Sequence, residues 1–514
     1  MFDGVVSVAG GRLRGIERQG VWAFSGIPYG RSPDGVRRWR PPEPPLRWSG
    51  IREASEFGPI APQPPPTPGV AIPGDPLEQD ENCLTLNVWT PHGSTPDEDV
   101  APNGQGRPVM VWIHGGGFTS GSGSSLLYRG GQLARHGGVV VVTVNYRLGA
   151  LGFLGHPALA EGTGSTVGGN WGLRDQLAAL RWVQENIASF GGDPGNVTVF
   201  GESAGGMSIS ALLGMPAARG LFQRAIVQSG PPYTHSPNQA VRAAEELAKL
   251  LGVREITRTA LLGIPAAELV AATQEIQNRP PPAGELPLPF LPVIDGHLLP
   301  RQPLDAVAGG EAAGVALLIG TNRDELTFFA LADARLANLD DEGLLRWLAQ
   351  VHPDHRPEDV VKAYRWAREQ RGEKVTPREL WVAAGSDLVF RVPSLRVASS
   401  QVIHQRQTFV YLFTWETPAF GGFLGSCHAL EIPFVFGTHR HPAISLFSGS
   451  GPEADALSDK MQSTWTSFAW HGDPSHPLVG EWPRWDEDRR ATMVFGPESG
   501  VEDGPRHTEL AVWE

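Results

Sequence analysis

Residues 197–206, VTVFGESAGG, carry the clearest indication of the fold class of this chain. Its first four residues form a short apolar run rich in β-branched side chains, which predicts a buried strand. The G-x-S-x-G segment 201–205 follows at once, and residues 206–213 are typical of a helix. A serine on so sharp a strand-to-helix turn is held in a strained conformation with its hydroxyl exposed above the sheet. We therefore predict that Ser203 is a nucleophile, and that glycines stand at both ends of the segment because side chains there would clash.

Further apolar runs lack polar alternation, which predicts strands covered on both faces, as in a largely parallel sheet. Helical periodicity lies between them, for example over residues 172–189, whose leucines share one face. Strands that alternate with such helices indicate the α/β class. Because no internal repeat interrupts this pattern, we expect residues 1–514 to form a single domain. The predicted strands are 109–113, 139–144, 197–200, 225–227, 315–319 and 408–415.

Composition narrows the classes of function. The 514 residues are 41% hydrophobic and 19% charged, as in ordinary globular proteins with a large core. A net charge of −13 disfavours nucleic acid and anionic membranes as partners. No run approaches the ~20 apolar residues of a membrane span, and the N-terminal residues lack the pattern of a secretion signal. We expect a cytoplasmic protein that is a monomer or a weak homo-oligomer.

Cysteine and histidine spacing gives no sign of a metal site or a disulfide framework. Only two cysteines occur, Cys83 and Cys427, and two free buried thiols are the favoured interpretation. Neither Cys-x-x-Cys nor His-Glu-x-x-His is found in the sequence. We therefore expect a reaction that requires no metal and no cofactor.

A second glycine-rich segment, 114–118 (HGGGF), follows the first predicted strand. Glycines let the backbone approach a ligand closely, and backbone N–H groups stabilise the oxyanion that forms when a carbonyl is attacked. We predict an oxyanion hole made by the N–H groups of Gly116, Gly117 and Ala204, the last being the residue after the nucleophile. His114 is expected to hold this loop and not to act as a base.

A serine nucleophile needs a general base and an acid that orients the base. In proteins that carry the nucleophile on such a turn, the acid follows the serine and precedes the histidine along the chain. His428 lies on a loop of small residues shortly after the strand 408–415, although spacing alone does not separate it from its rivals. The strand 315–319 leads to two adjacent candidates for the acid, Asp324 and Glu325. The rival histidines are His439, His441, His471, His476 and His507.

Taken in order, these motifs resemble the type-B carboxylesterase/lipase family of the α/β-hydrolase fold. That family includes bacterial para-nitrobenzyl esterases, animal carboxylesterases and cholinesterases. The resemblance covers nearly the whole chain. It is carried by residues 24–30 (FSGIPYG), 81–89 (ENCLTLNVW), 114–118, 145–149 (NYRLG), 170–206, 320–325 (GTNRDE), 428–437 (HALEIPFVFG) and 482–485 (WPRW).

The resemblance implies a mostly parallel central sheet covered by helices, with insertions that form a gorge above the site. It implies a triad of Ser203, His428 and Glu325, since the family has glutamate at that position. The implied activity is hydrolysis of uncharged carboxylic esters of short to medium acyl length through an acyl-enzyme. Alternatives are a non-catalytic binding protein of the same fold, or a thioesterase or amidase with the same triad. Because a general base must be neutral, activity is expected to fall as the pH drops through roughly 6–7.

Aromatic residues are candidates for the substrate-contacting walls, although core packing would explain any one of them equally well. Glu202 is a candidate for a second carboxylate near His428, or for a buried hydrogen-bonded residue of the core. The aromatic candidates are Phe118, Tyr233, Phe328, Phe329 and Phe390.

The resemblance also implies structural features away from the site. Two ion pairs are expected, Arg38 with Glu81 and Arg147 with Asp175. The N-terminal disulfide common in the family is expected to be absent, because Ala61 stands in the segment that would supply its second cysteine.

Overall fold

The computed structural model describes residues 3–65, 78–91, 106–160, 165–330 and 338–513. Strands and α-helices are numbered along the chain. The strands are β1 (Val5–Val8), β2 (Gly11–Arg14), β3 (Ile16–Arg18), β4 (Val21–Pro28), β5 (Ile51–Glu53), β6 (Thr85–Pro91), β7 (Arg107–Ile113), β8 (Val140–Val144), β9 (Gly192–Glu202), β10 (Arg224–Gln228), β11 (Ala316–Asn322), β12 (Thr408–Phe413), β13 (Ala491–Phe495) and β14 (Gly500–Asp503). The helices are α1 (Gly131–Gly137), α2 (Gly149–Phe153), α3 (Trp171–Asn186), α4 (Ala204–Leu213), α5 (Pro237–Leu250), α6 (Arg258–Leu262), α7 (Ala266–Gln277), α8 (Pro303–Ala308), α9 (Leu326–Ala330), α10 (Asp341–Val351), α11 (Pro357–Gln370), α12 (Pro377–Ser386), α13 (Val392–Val402), α14 (Ile432–Phe436), α15 (Pro442–Ser448), α16 (Pro452–His471) and α17 (His507–Leu510).

One large mixed sheet forms the centre of the molecule. Its eleven strands in the described residues follow the order β14-β13-β12-β11-β10-β9-β7-β8-β6-β4-β3. The seven strands from β13 to β8 in that order pair in parallel, and the strands at both ends pair antiparallel. A small second sheet has the order β1-β2-β5. The six strands predicted from apolar runs are all present as β7 to β12, so the α/β prediction is confirmed.

Helices cover both faces of the large sheet, which explains why its central strands carry apolar residues without alternation. In β7, Val109, Val111 and Ile113 belong to the core on one face. Met110 and Trp112 belong to the core on the other face. Successive side chains of a strand point to opposite faces, so both faces of this strand are buried. A third apolar cluster lies among α10, α11, α12 and the residues that follow α17.

The parallel strands bring distant parts of the sequence to one edge of the sheet. The strands β7, β9 and β11 end at Ile113, Glu202 and Asn322, and β12 ends at Phe413. The carboxyl ends of parallel strands lie at a common edge, where open α/β sheets bind their ligands. The segments that hold the predicted site residues therefore all leave the sheet on the same side.

Two expectations about the rest of the fold are also confirmed. Arg38 Nε donates to Glu81 Oε2 at 2.6 Å, and Arg147 donates to both carboxylate oxygens of Asp175 at 2.6 and 2.7 Å. Both cysteines are buried free thiols, so the N-terminal disulfide of the family is absent. Among the described helices, none has the length and apolar character that crossing a bilayer requires.

Candidate active site

Ser203 lies at the turn between β9 and α4 in a conformation that side chains rarely adopt. Its backbone has φ 55° and ψ −124°, and its side chain is partly exposed. A Cβ atom added at Gly201 would lie 2.5 Å from the carbonyl oxygen of Ile113, and one at Gly205 would lie 1.9 Å from the same oxygen. The expected clash of strand and helix at these two glycines is confirmed. The turn therefore presents Ser203 at the N-terminus of α4, where the helix dipole favours negative charge.

The glycine segment after β7 lies beside this turn. Gly116 and Gly117 have φ values of 106° and 61°, and a Cβ atom at Gly116 would lie 2.2 Å from the carbonyl oxygen of Ser120. Among the hydrogen bonds of the described residues, none is donated by the amides of Gly116, Gly117 or Ala204. Three backbone donors are thus available near the nucleophile to a ligand that carries negative charge.

His114 is packed beneath the glycine segment. Its Nδ1 lies 2.8 Å from the carbonyl oxygen of Gly115, and its ring stacks on Tyr146 with centroids 4.4 Å apart. The Tyr146 hydroxyl donates to the His114 carbonyl oxygen at 2.8 Å. Burial lowers the pKa of His114 to about 4, so this histidine is neutral and holds the loop, as expected.

His428 and Glu325 meet at the same edge of the sheet. Nδ1 of His428 lies 2.6 Å from Oε2 of Glu325, whose side chain is fully buried. The other carboxylate oxygen of Glu325 accepts hydrogen bonds from Ser229 Oγ at 2.6 Å and from the backbone N–H of Asn322 at 2.8 Å. These donors hold the carboxylate in place against Nδ1 of the imidazole.

Asp324, the adjacent candidate for the acid, has different partners. Its Oδ2 accepts from Arg323 Nη2 at 2.7 Å and from the Ser426 amide at 2.9 Å. The Asp324 amide in turn donates to the Ser426 carbonyl oxygen at 2.9 Å. Asp324 thus ties the turn after β11 to the loop that carries His428, while Glu325 contacts the histidine itself.

The rival histidines lie elsewhere. His439 contacts Asp455, His441 accepts from the Ala443 amide at the start of α15, and His471 ends α16. Within the described part of the chain, none of the five rivals contacts Glu325. The remaining two have local backbone partners, Leu478 for His476 and Gly504 for His507.

The second ring nitrogen of His428 faces a different carboxylate. Nε2 lies 3.0 Å from Oε1 of Glu202, so Glu202 is a carboxylate near the histidine and not a core residue alone. Across the described residues, no hydrogen bond joins the Ser203 hydroxyl to His428. Burial alone would lower the pKa of His428, but the charges of Glu202 and Glu325 raise it well above the ordinary value.

A third buried carboxylate, Glu431, was missed by the sequence reasoning. Its oxygens accept hydrogen bonds from Gln228 Nε2 at 2.8 Å and Asn322 Nδ2 at 2.7 Å. Burial and the charges of Glu202 and Glu325 raise the pKa of Glu431 to about 8. The signal available in the sequence was its place in the segment HALEIPFVFG, three residues after the histidine.

Three of the five aromatic candidates surround His428. The rings of Phe328, Phe329 and Phe390 have centroids 6.3, 5.1 and 5.0 Å from that of His428. Phe329 is 44% exposed and Phe390 is 4% exposed, so this wall runs from the surface into the interior. The three phenylalanine rings make this wall apolar.

The other two aromatic candidates have different surroundings. Tyr233 supports the wall, because its hydroxyl donates to the carbonyl oxygen of Val389, next to Phe390, at 3.1 Å. Phe118 is fully buried and packs edge-to-face against Phe153 with centroids 4.8 Å apart. The structure therefore does not bring Phe118 to the aromatic group around His428.

Comparison with known proteins identifies the family of the chain. The model of the carboxylesterase family matches residues 3–513. Para-nitrobenzyl esterase of Bacillus subtilis is 38% identical over 98% of this chain and 97% of that protein. Phenmedipham hydrolase of Pseudarthrobacter oxydans is 36% identical over 96% of this chain and 95% of that protein.

Solved structures give the same result. A carboxylesterase of Geobacillus stearothermophilus superposes with a TM-score of 0.85 at 39% identity, covering 99% of this chain and 100% of that chain. A para-nitrobenzyl esterase superposes with a TM-score of 0.81 at 36% identity, covering both chains completely. The chain therefore belongs to the carboxylesterase family, and it is a carboxylic ester hydrolase of the α/β-hydrolase fold.

Proposed function

We propose that this chain cleaves uncharged carboxylic esters of short to medium acyl length at Ser203. The observation that carries the proposal is the 2.6 Å contact between His428 and Glu325 beside a serine held in a strained turn. The apolar wall of Phe328, Phe329 and Phe390 supports uncharged substrates, because a charged group there would lose its hydration without a partner.

In the proposed mechanism, Ser203 Oγ attacks the ester carbonyl while His428 Nε2 accepts the serine proton. The oxyanion accepts hydrogen bonds from the amides of Gly116, Gly117 and Ala204. The protonated His428 then donates to the leaving alcohol, and an acyl group remains on the serine. Water, activated by the same nitrogen, attacks the acyl-enzyme and releases the acid. His428 must turn from Glu202 to the serine hydroxyl for the first step, as catalytic hydrogen bonds often tighten only with substrate bound.

A series of para-nitrophenyl esters, acetyl through dodecanoyl, tests this proposal with wild type and Ser203→Ala side by side. The expected result is turnover that peaks at short or medium chains and is lost in the variant. Equal rates for the two proteins would overturn the assignment of Ser203. Hydrolysis rates of thioester and anilide analogues that carry the best acyl group show whether the same site also cleaves thioesters and amides.

We also propose that residues 1–514 work as one domain, as a monomer or weak homo-oligomer in the cytoplasm, on small-molecule esters. Two free thiols support a reducing compartment, and the net charge of −13 disfavours nucleic acid and anionic membranes. Light scattering of the purified protein tests the oligomeric state. A single unfolding transition seen by two independent probes is the result expected for one domain.

A further inference from the structure

A π-helical turn, Asp387–Arg391, joins α12 to α13. Pro393 accounts for it, because proline has no N–H and cannot pair with the carbonyl of Val389, four residues earlier. The N–H of Val392 instead bonds to the carbonyl of Asp387, five residues earlier. Such single π-helical turns occur frequently at functional sites.

This turn places Phe390 in the active site. The Phe390 ring lies 5.0 Å from His428, between centroids, and is nearly parallel to Phe329, with 11° between the ring planes. Phe390 is the buried member of the wall, since it is 4% exposed against 44% for Phe329. The position of the buried ring of the wall, Phe390, therefore depends on the contacts that hold the π-helical turn.

Two sets of hydrogen bonds hold the turn. The carbonyl of Val389, which cannot accept from Pro393, accepts from the Tyr233 hydroxyl at 3.1 Å. On the other side, the Tyr364 hydroxyl of α11 donates to Asp387 Oδ2 at 2.8 Å. The same hydroxyl accepts from Trp513 Nε1 at 2.7 Å.

The Trp513–Tyr364–Asp387 relay is anchored and buried. Tyr364 is fully buried and Trp513 nearly so. Arg391, at the end of the turn, donates to the Pro505 carbonyl oxygen at 2.5 Å. Through these bonds, Trp513 and Pro505, each more than a hundred positions further along the chain, are linked to a turn that touches His428. A buried polar network with its groups satisfied fixes one geometry, because leaving any member unpaired is costly.

We propose that the Trp513–Tyr364–Asp387 relay positions Phe390 beside His428 and thereby determines which acyl and alcohol groups the site accepts. The inference rests on the proposed function, because it takes His428 to be the general base. The three relay residues act through Phe390, so they are positioning residues. A purely structural role would instead change the stability of the protein and leave its choice among substrates intact.

Tyr364→Phe tests the relay because it removes only the hydroxyl and keeps the ring in the core. Tyr29→Phe is the matched control, since it removes another buried hydroxyl, one that donates to the Asn145 carbonyl oxygen at 2.6 Å. The values of kcat and KM are measured on para-nitrophenyl esters of increasing acyl length and on acetates of increasingly large alcohols.

The expected result for Tyr364→Phe is a change of about threefold or more in kcat/KM for large substrates relative to para-nitrophenyl acetate, mainly through KM. The control is expected to keep the wild-type ratios. Trp513→Phe is the second relay variant, and Asp387→Asn, which keeps an oxygen to accept from Tyr364, is expected to stay closer to wild type than Asp387→Ala. Wild-type ratios in both Tyr364→Phe and Trp513→Phe would overturn the proposal.

A crystal structure of Tyr364→Phe separates this inference from the proposed function. A displaced Phe390 ring is expected, and a ring unmoved relative to His428 would refute the relay whatever the activity. Absence of turnover by the wild type would refute the proposed function and leave that structural comparison valid.

Discussion

His428 Nε2 lies 3.0 Å from Oε1 of Glu202, so both nitrogens of this imidazole face a buried carboxylate. The imidazole lies between two carboxylates, because Glu325 faces Nδ1 at 2.6 Å. In the proposed mechanism, this arrangement stabilises the imidazolium that forms when Ser203 loses its proton. Its cost is that the base stays protonated to a higher pH than a free imidazole.

The pH dependence of activity should reflect this arrangement. A general base accepts a proton only when it is neutral, so kcat/KM rises with pH as His428 loses its proton. The sequence predicts this rise at pH 6–7, the range of an unperturbed imidazole. Because the pKa of His428 is raised, we expect the rise at a higher pH. Glu202→Gln removes one of the two charges that raise the pKa of His428. We expect the midpoint of the rise to move to lower pH by about one unit or more. The measurement is kcat/KM for para-nitrophenyl acetate from pH 5 to 9, corrected for spontaneous hydrolysis.

Glu53→Gln is the matched control for that experiment, because Glu53 is exposed and paired with Arg14 at 3.2 Å. It changes the net charge equally without touching the site. If both variants share the wild-type midpoint, Glu202 does not govern the protonation of the base.

The two adjacent carboxylates after β11 should differ sharply in their effect on catalysis. Glu325→Gln removes the charge that orients His428 and stabilises its protonated form, and we expect kcat to fall by about 10³–10⁴-fold. Asp324→Asn keeps an oxygen that can accept from the Ser426 amide and weakens only the ion pair with Arg323, and we expect a loss of less than about tenfold, because the loop is also held by the backbone bond from the Asp324 amide. The measurement is kcat of wild type and both variants on one ester. Similar losses in the two variants would contradict the assignment of roles.

Glu431 should make stability depend on pH. Its pKa is about 8 in the folded protein and near 4.5 when unfolded, so between these values the native state binds a proton that the unfolded state releases. The contribution of Glu431 to the free energy of unfolding is therefore complete below pH 4.5. It is lost as the pH rises towards 8, at up to about 1.4 kcal/mol per pH unit. Urea unfolding at pH 5, 6, 7 and 8 should give a steeper decline for wild type than for Glu431→Gln. Parallel declines would show that Glu431 does not bind the proton.

The buried ion pair of Arg147 and Asp175 should matter for stability. Their side chains are 4% and 0% exposed, so Asp175→Ala leaves a buried charge without its partner, and we expect a loss of about 3–5 kcal/mol in the free energy of unfolding. Glu53→Ala, which breaks an exposed pair, is expected to cost less than about 1 kcal/mol. Equilibrium unfolding in urea measures both, and an equal, small cost for the two variants would exclude a structural role for the buried pair.

The fold was predictable where local sequence and tertiary environment agree. Apolar runs identified β7 to β12 because those strands are covered on both faces. The same criterion missed β6, whose apolar run is interrupted by Asn87, a buried residue that donates to Thr143 Oγ1 at 3.0 Å. Its polarity is compensated by a partner that no local pattern reveals.

The site was predictable only in part. The turn at Ser203 is encoded by neighbouring residues, whereas the choice of His428 and Glu325 needed the resemblance, since five other histidines and Asp324 remained open. Glu431 and the relay through Tyr364 were missed, because each depends on contacts between segments far apart in the sequence. The place of Phe118 in the core depends likewise on packing against Phe153.

In the proposed mechanism, catalysis passes through a covalent intermediate on Ser203. The most direct test is intact-protein mass spectrometry after treatment with diethyl para-nitrophenyl phosphate, followed by peptide mapping. Wild type is expected to gain one diethylphosphoryl group on the peptide that contains Ser203, in step with loss of esterase activity, and Ser203→Ala is expected to gain none. Loss of activity with the label on another residue, or equal labelling of Ser203→Ala, would contradict a covalent intermediate on Ser203.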